Sequence, residues 1–319
     1  MYRRIVVALD GSAFSAAAVP YAAEIAARAG AAIELVRVHV PEPIDDDAIY
    51  TFTPFEPECC SDPYARLDRA ALRIEAEEMH DLTQFISDET GLSISARVVV
   101  GEVNGSLGRR AEALRADLIV MATHARRGLE RLHFGSVAEA VVRIAKMPVL
   151  LVQPGAGAAG QLRHPWFRRV LVPLDGSRFS EEVLPAAGDL ARLFGASVFA
   201  MHVETGPPEF GRWFDAMPEA RRREPDWRDR VRRSPWLPAR TRIETIAAPD
   251  AAAAIVDAAE RNRVDVIAMA THGGGGPSAA TTGSTAFDVV QQTRLPVLVR
   301  RPFHAWSDAS HLGKARLTV

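Results

Sequence analysis

One polar loop pattern in this chain carries residues suited to holding an anion, and it is written twice. Thr123-His124 opens a loop that closes on Gly135-Ser136, and Thr271-His272 opens one that closes on Gly283-Ser284. Each loop follows an apolar run and leads into a segment with helical spacing. At such a helix start the first backbone N–H groups have no intrahelical acceptor, and the helix dipole favours negative charge. The chemistry on offer is therefore phosphate binding. The first loop adds Arg126, Arg127 and Arg131, cations able to make charge-assisted contacts, beside an Ala125 that is strained if its position needs positive φ. The second keeps Gly273 and a glycine run to Gly276, so its backbone can approach a ligand closely, but it has no cation. The expectation is that the first half favours a triphosphate, whereas the second takes less charge or stays empty.

Competing readings exist for these residues. Ser136 with Glu139 fits a capping box, in which Ser136 bonds forward, Glu139 bonds back, and nothing is bound. Phosphate binding is preferred because the whole loop spacing recurs, whereas a cap needs only Ser-x-x-Glu. His124 and His272 offer acid–base chemistry, but pinning the loops by hydrogen bonds is the favoured role. Asp10 suits a metal ligand or a base, against a plain role in the Asp10-Gly11 turn. No nucleophile, base and orienting group stand together, so the chain is not read as an enzyme beyond slow ATP hydrolysis. Cys59-Cys60 is an adjacent pair with no further ligand at metal spacing, and is read as two ordinary thiols.

The elements that must position these loops follow from the apolar pattern. Residues 5–9 form a buried strand ending at Asp10-Gly11-Ser12, and a helix runs on to about residue 28, with Ala18, Ala22, Ile25 and Ala29 on one face. Pro20, and its twin Pro185, predict a late helix start or a kink. Strands are expected at 33–40 and 93–100, and a proline- and acid-rich loop at 41–63. A long helix at about 65–89 has Leu72, Met79, Leu82 and Phe85 as its stripe, and another helix is expected at about 106–115. The strand at 118–122 precedes the first loop. The helix behind Ser136 places Val137, Val141 and Ile144 on one face and Lys146 in its last turn, before Pro148 and a strand at 149–152. Strands alternating with helices imply βαβ units and a parallel sheet.

The same order returns in the second half. Arg3 to Ser12 reappears as Arg168 to Ser177, and Met121-Ala122-Thr123-His124 as Met269-Ala270-Thr271-His272. A repeat of this length marks a duplicated domain. The boundaries are 1–153, a glycine-bearing linker at 154–165, 166–301, and a polar tail at 302–319. The copies diverge between strands at 198–203 and 240–247. There a proline-broken stretch carries Arg221, Arg222, Arg223, Arg232, Arg233, Trp227 and Trp236. Those residues suit nucleic acid, but Glu219, Glu224, Asp226 and Asp229 interleave with them, so a solvated, salt-bridged segment is preferred.

The 319 residues are 48% hydrophobic and 24% charged with a formal net charge of -2, which fits two globular domains and excludes bulk electrostatic binding of nucleic acid. No signal-peptide core or membrane-length run is visible, so a cytoplasmic location is expected.

Both halves resemble the universal stress protein family, and the chain is similar to a tandem member. The family's nucleotide signature is Gly, two residues, Gly, nine residues, then Gly with Ser or Thr. Here it reads Ala122, Thr123-His124, Ala125, nine residues, Gly135-Ser136, and again Ala270, Thr271-His272, Gly273, nine residues, Gly283-Ser284. The resemblance implies an α/β fold of two Rossmann-like (adenine nucleotide alpha hydrolase-like) domains, each a five-stranded parallel sheet with helices on both faces. It places ribose contacts at Asp10 and Asp175, and adenine contacts at the backbone of Val40 and Val203. It brings into the site Gly101, and also Val137 and Thr285, which directly follow the two Gly-Ser pairs. The implied ligand is ATP, with AMP and ADP as further candidates and Mg2+ as accompanying ion. Pairing of the two halves through their last strands is implied too, with a further homodimer open and no nucleic-acid or membrane partner.

The function read from all this is an adenine-nucleotide-binding stress-response regulator. A non-nucleotide scaffold built for pairing is the first alternative. The second, a nucleotidyl transferase, needs an H-x-x-H signature that Asp10-Gly11-Ser12-Ala13 lacks.

Overall fold

The computed structural model describes residues 2–40, 63–123, 136–154, 166–205, 226–271 and 284–302. The first half runs β1 (Arg4–Leu9), α1 (Ala13–Ala16), α2 (Val19–Ala29), β2 (Ala32–His39), α3 (Pro63–Thr90), β3 (Ile94–Val100), α4 (Val103–Ala113), β4 (Leu118–Ala122), α5 (Ser136–Ile144) and β5 (Val149–Val152). The second repeats it as β6 (Arg169–Leu174), α6 (Arg178–Glu181), α7 (Leu184–Phe194), β7 (Ser197–Glu204), α8 (Trp227–Arg232), β8 (Arg242–Ala247), α9 (Ala251–Arg261), β9 (Val266–Ala270), α10 (Ser284–Gln292) and β10 (Val297–Arg300). The helix expected from 106 starts at Val103. Pro20 sits in the first turn of α2, where its missing N–H costs nothing, so the expected late start is what the chain does.

Each half contributes five strands that run parallel to one another. An antiparallel pairing of β5 with β10, centred on Leu150 opposite Leu298, joins them into one ten-stranded sheet. The order is β3-β2-β1-β4-β5-β10-β9-β6-β7-β8. The expected pairing of the halves through their last strands is therefore present within the chain. The central strands are apolar on both sides because helices cover both faces. Ile5, Val7 and Leu9 pack toward α2, while Val6 packs toward α4 and α5.

Two helices show different faces from those expected. On α3 Met79 and Ile86 are buried while Phe85 is 58% exposed, so Ile86 takes the place assigned to Phe85. On α5 the buried face is Ala138, Val141 and Val142, and Ile144 is 40% exposed at the helix end. A helix only nine residues long packed between a sheet and α4 needs a broader apolar face than the narrow stripe read from the sequence. Lys146 lies beyond the last residue of α5 rather than in its last turn.

One difference between the halves lies in the sheet itself. β1 pairs with β4 at four positions, up to Ala8 opposite Met121, but β6 pairs with β9 only at Val170 and Leu171. Pro173 occupies the position of Ala8, and a proline has no N–H to give to the ladder. Its pairing with β7 continues, Pro173 standing opposite Met201.

Candidate functional site

In each half the strand order reverses between the first and fourth strands, which leaves a crevice past their carboxyl ends. In the first half this crevice encloses about 490 Å³. Its apolar floor comes from alternate residues of three strands: Ala8 on β1, Val36 and Val38 on β2, and Met121 on β4. Leu107 on α4 and Phe14 on α1 close the sides, and Ser136, Val137 and Ala138 bring in the first turn of α5. The polar groups in the lining are few, namely those of Asp10, Ser15, Thr123 and Ser136. A mostly apolar hollow of this size with a few convergent polar groups has the make-up of a small-molecule site.

Thr123 has the most telling environment. Its residue is 3% exposed, its N–H donates to the Val152 carbonyl at 2.9 Å, and its buried hydroxyl oxygen has no hydrogen-bond partner among the described residues. An unpaired buried hydroxyl is unfavourable by about 1–3 kcal/mol. Asp10 is engaged locally: its carboxylate accepts from the Ser12 N–H at 2.8 Å and the Ser12 hydroxyl at 2.5 Å. Partial burial pushes its pKa up, yet the hydrogen bonds from Ser12 and Ser15 outweigh that and hold it below the ordinary carboxylate value. Asp175 repeats the pattern with Ser177, at 2.9 and 2.5 Å. The turn-stabilising role weighed for this aspartate is thus present in both halves.

The remaining expected residues fall as follows. Ala122, Ser136 and Val137 line the first crevice; Asp175, Val203, Ala270 and Thr285 line the second. Gly101 closes the turn between β3 and α4 with φ +137°, where its N–H donates to the His39 carbonyl. A side chain there would be strained and its Cβ would meet the Ser106 hydroxyl at 2.8 Å. Gly101 thus shapes the rim without lining the hollow. His124, Ala125, Arg126, Arg127 and Gly135, and His272, Gly273 and Gly283, lie outside the described residues, as does the side chain of Ser284. Glu139 bonds forward to Arg143 at 2.6 Å rather than back toward Ser136, so the reciprocal half of the capping box is not made. No group of three or more His, Cys, Asp or Glu able to hold a metal stands among the described residues.

The pairing of Val40 with Val203 does not hold. Leu9 stands opposite Arg37 and its equivalent Leu174 stands opposite His202, so Val203 corresponds to Val38 and Val40 to Thr205. The repeated His-Val dipeptide is shifted by two residues. Because strand faces alternate, a two-residue shift keeps the same face and left no mark in the apolar pattern. Val38 lines the first crevice and Val203 the second, whereas the Val40 side chain is 54% exposed.

Ala8, Phe14, Val36, Val38 and Leu107 are site residues that the sequence does not single out, and Thr123 stands there only as the residue that opens the loop. Only the period-two alternation along β1 and β2 hints at them, and strands buried on both faces blur that signal. The arginine- and tryptophan-bearing segment is expected to be solvated and salt-bridged. Where described, it packs on the second half: Arg230 bonds Glu181 and the Gly176 carbonyl, both at 2.7 Å, and Arg228 bonds the Thr245 hydroxyl at 2.6 Å. That is the salt-bridged reading, met for its described residues.

Comparison with known proteins agrees with this geometry. The model of the universal stress protein family matches residues 1–153 and 167–301. A universal stress protein of Mycolicibacterium smegmatis is 28% identical over 308 residues, which covers 93% of this chain and 97% of that one. A universal stress protein of Methanocaldococcus jannaschii is 31% identical over 153 residues, covering 48% of this chain and 83% of the relative. Among solved structures, a universal stress protein from Archaeoglobus fulgidus superposes with a TM-score of 0.66 at 17% identity, covering 93% of this chain and 98% of the other, a likeness of fold alone. No helix among the described residues is long and apolar enough to cross a membrane. The duplicated crevices, the sheet order and the two family matches agree: this chain belongs to the universal stress protein family, with two such domains in tandem.

Proposed function

We propose that the crevice of the first half binds an adenine nucleotide, with ATP as the preferred ligand, and that its occupancy sets the conformation of the loop between β4 and α5. The buried, unpaired hydroxyl of Thr123 carries this reading, because it lines the hollow beside the start of α5 and a bound polar ligand would satisfy it. The nearby helix N-terminus suits phosphate. The apolar floor of Val36, Val38 and Leu107 suits a flat base. Asp10, at the end of β1, suits a ribose hydroxyl. Arg126 and Arg127 belong to the adjoining loop in sequence and supply charge for a triphosphate, and Mg2+ would arrive with the phosphates. The role proposed is binding rather than turnover.

The scaffold alternative needs a closed hollow, and about 490 Å³ of space beside an unpaired hydroxyl argues against it in the first half. The test is to denature the purified protein and assay released adenine nucleotide, then titrate nucleotide-free protein with ATP, with and without magnesium. Bound or saturably binding nucleotide is the expected result. Protein that is empty and gives no binding at millimolar ATP would overturn the reading.

A further inference from the structure

The two crevices share a plan but not a volume. The second encloses about 270 Å³ against about 490 Å³ in the first. The lower figure falls under the ordinary range of small-molecule sites, about 300–1,000 Å³. The register identifies where the chains differ. Ala8 of the first floor is replaced by Pro173, which lines the second crevice, and Val36 is replaced by Met201, which is wholly buried in the apolar cluster that also holds Ile255 and Met269 of the second lining. Both replacements are larger, and both stand on the strands that make the floor.

Pro173 acts a second way. It ends the β6–β9 ladder at Leu171, so its ring sits at the point of strand reversal where the first half has a small side chain and continuous pairing.

We infer that the chain takes one adenine nucleotide, in the first half, and that Pro173 and Met201 deny the second crevice to it. This rests on the nucleotide reading above and adds to it which half binds, and why. A second half that cannot bind leaves the tandem chain with one ligand-responsive domain joined by a continuous sheet to one ligand-indifferent domain.

The test is calorimetric titration of the full chain with ATP. The wild type should bind one equivalent. The variant carrying Pro173→Ala and Met201→Val should bind a second. Val36→Met, which puts the bulk of the second floor into the first, should weaken the wild-type site by about tenfold or more. Two equivalents bound by the wild type would overturn the inference while leaving the nucleotide reading intact. So would an opened variant that melts like the wild type yet stays at one equivalent. If the opened variant does not fold, unchanged affinity in Val36→Met overturns it and the tenfold loss supports it. No binding by the wild type removes the nucleotide reading and this inference with it, a result distinct from the others.

Discussion

The hydroxyl of Thr123 has no hydrogen-bond partner among the described residues, and that makes it the sharpest probe of the site. Thr123→Val keeps the shape and removes the unpaired oxygen, so the ligand-free protein should become more stable by about 1 kcal/mol or more. If a nucleotide accepts or donates at that oxygen, the same change should weaken binding about five- to tenfold, a loss in the ordinary range for one hydrogen bond. Thermal melts with and without ATP read both signs, and a variant weaker in both stability and binding would contradict the argument. Asp10 gives a pH test. Its carboxyl is held below the ordinary value, so the ionised form stabilises the folded state above the carboxylate range, and that contribution fades as pH falls through the depressed pKa. Asp10→Asn should therefore lower stability at pH 7, by on the order of 1 kcal/mol for so exposed a group, with the deficit shrinking below about pH 4. A deficit that is constant or grows toward acid would contradict it.

At the scale of elements, the descent from a common unit explains both what was legible and what was not. The strand–loop–helix order around Thr123 could be read because apolar runs, Gly-Ser pairs and prolines punctuate it twice. The buried faces of α3 and α5 could not, because several apolar residues compete on each and only packing selects Ile86 over Phe85, or Val142 over Ile144. The docking of the segment around α8 was hidden by its prolines and mixed charge. Its imprint is Gly188 on α7, where a Cβ would meet the Trp236 carbonyl oxygen at 2.1 Å; the first half has Ala23 at that place. Gly188→Ala should therefore cost about 1–3 kcal/mol and displace the Trp236 backbone, visible as a changed near-ultraviolet tryptophan signal, whereas Ala23→Gly in the first half should lack that spectral change. The second residue after α4 and its twin after α9 are another paired feature: Arg115 and Arg263 hold φ at 52° and 49°. Arg115→Asn, a residue that tolerates this conformation better, should raise the melting temperature by a degree or more, corresponding to about 0.5 kcal/mol.

At the scale of the molecule, duplication was plain in the sequence because whole phrases recur, while the pairing of last strands came only through the family resemblance. The joint is tight. Leu298 and Leu150 are essentially fully buried opposite one another, and the Gln153 side chain donates to the Val290 carbonyl across the halves at 2.5 Å. In the other direction Arg300 and Arg301 donate to the carbonyls of Lys146 and Arg143 at the end of α5. On the face opposite the crevice floors, Phe167 meets Phe194 edge-on at 4.9 Å and stacks near Tyr21 at 6.2 Å. Two halves sharing one sheet and one aromatic seam should melt in a single transition, and Leu298→Ala should lower its midpoint through a loss of about 2–5 kcal/mol. Separate melting of the halves in the wild type would contradict this continuity.

The central claim is that the first crevice is a nucleotide site. The most direct measurement is a crystal structure of the chain grown with saturating ATP. The account predicts a nucleotide between β1 and β4 of the first half, its phosphates at the start of α5 and a polar atom within hydrogen-bond distance of the Thr123 hydroxyl, with the second crevice unfilled. A first crevice left empty, or nucleotide bound only elsewhere on the molecule, would contradict it.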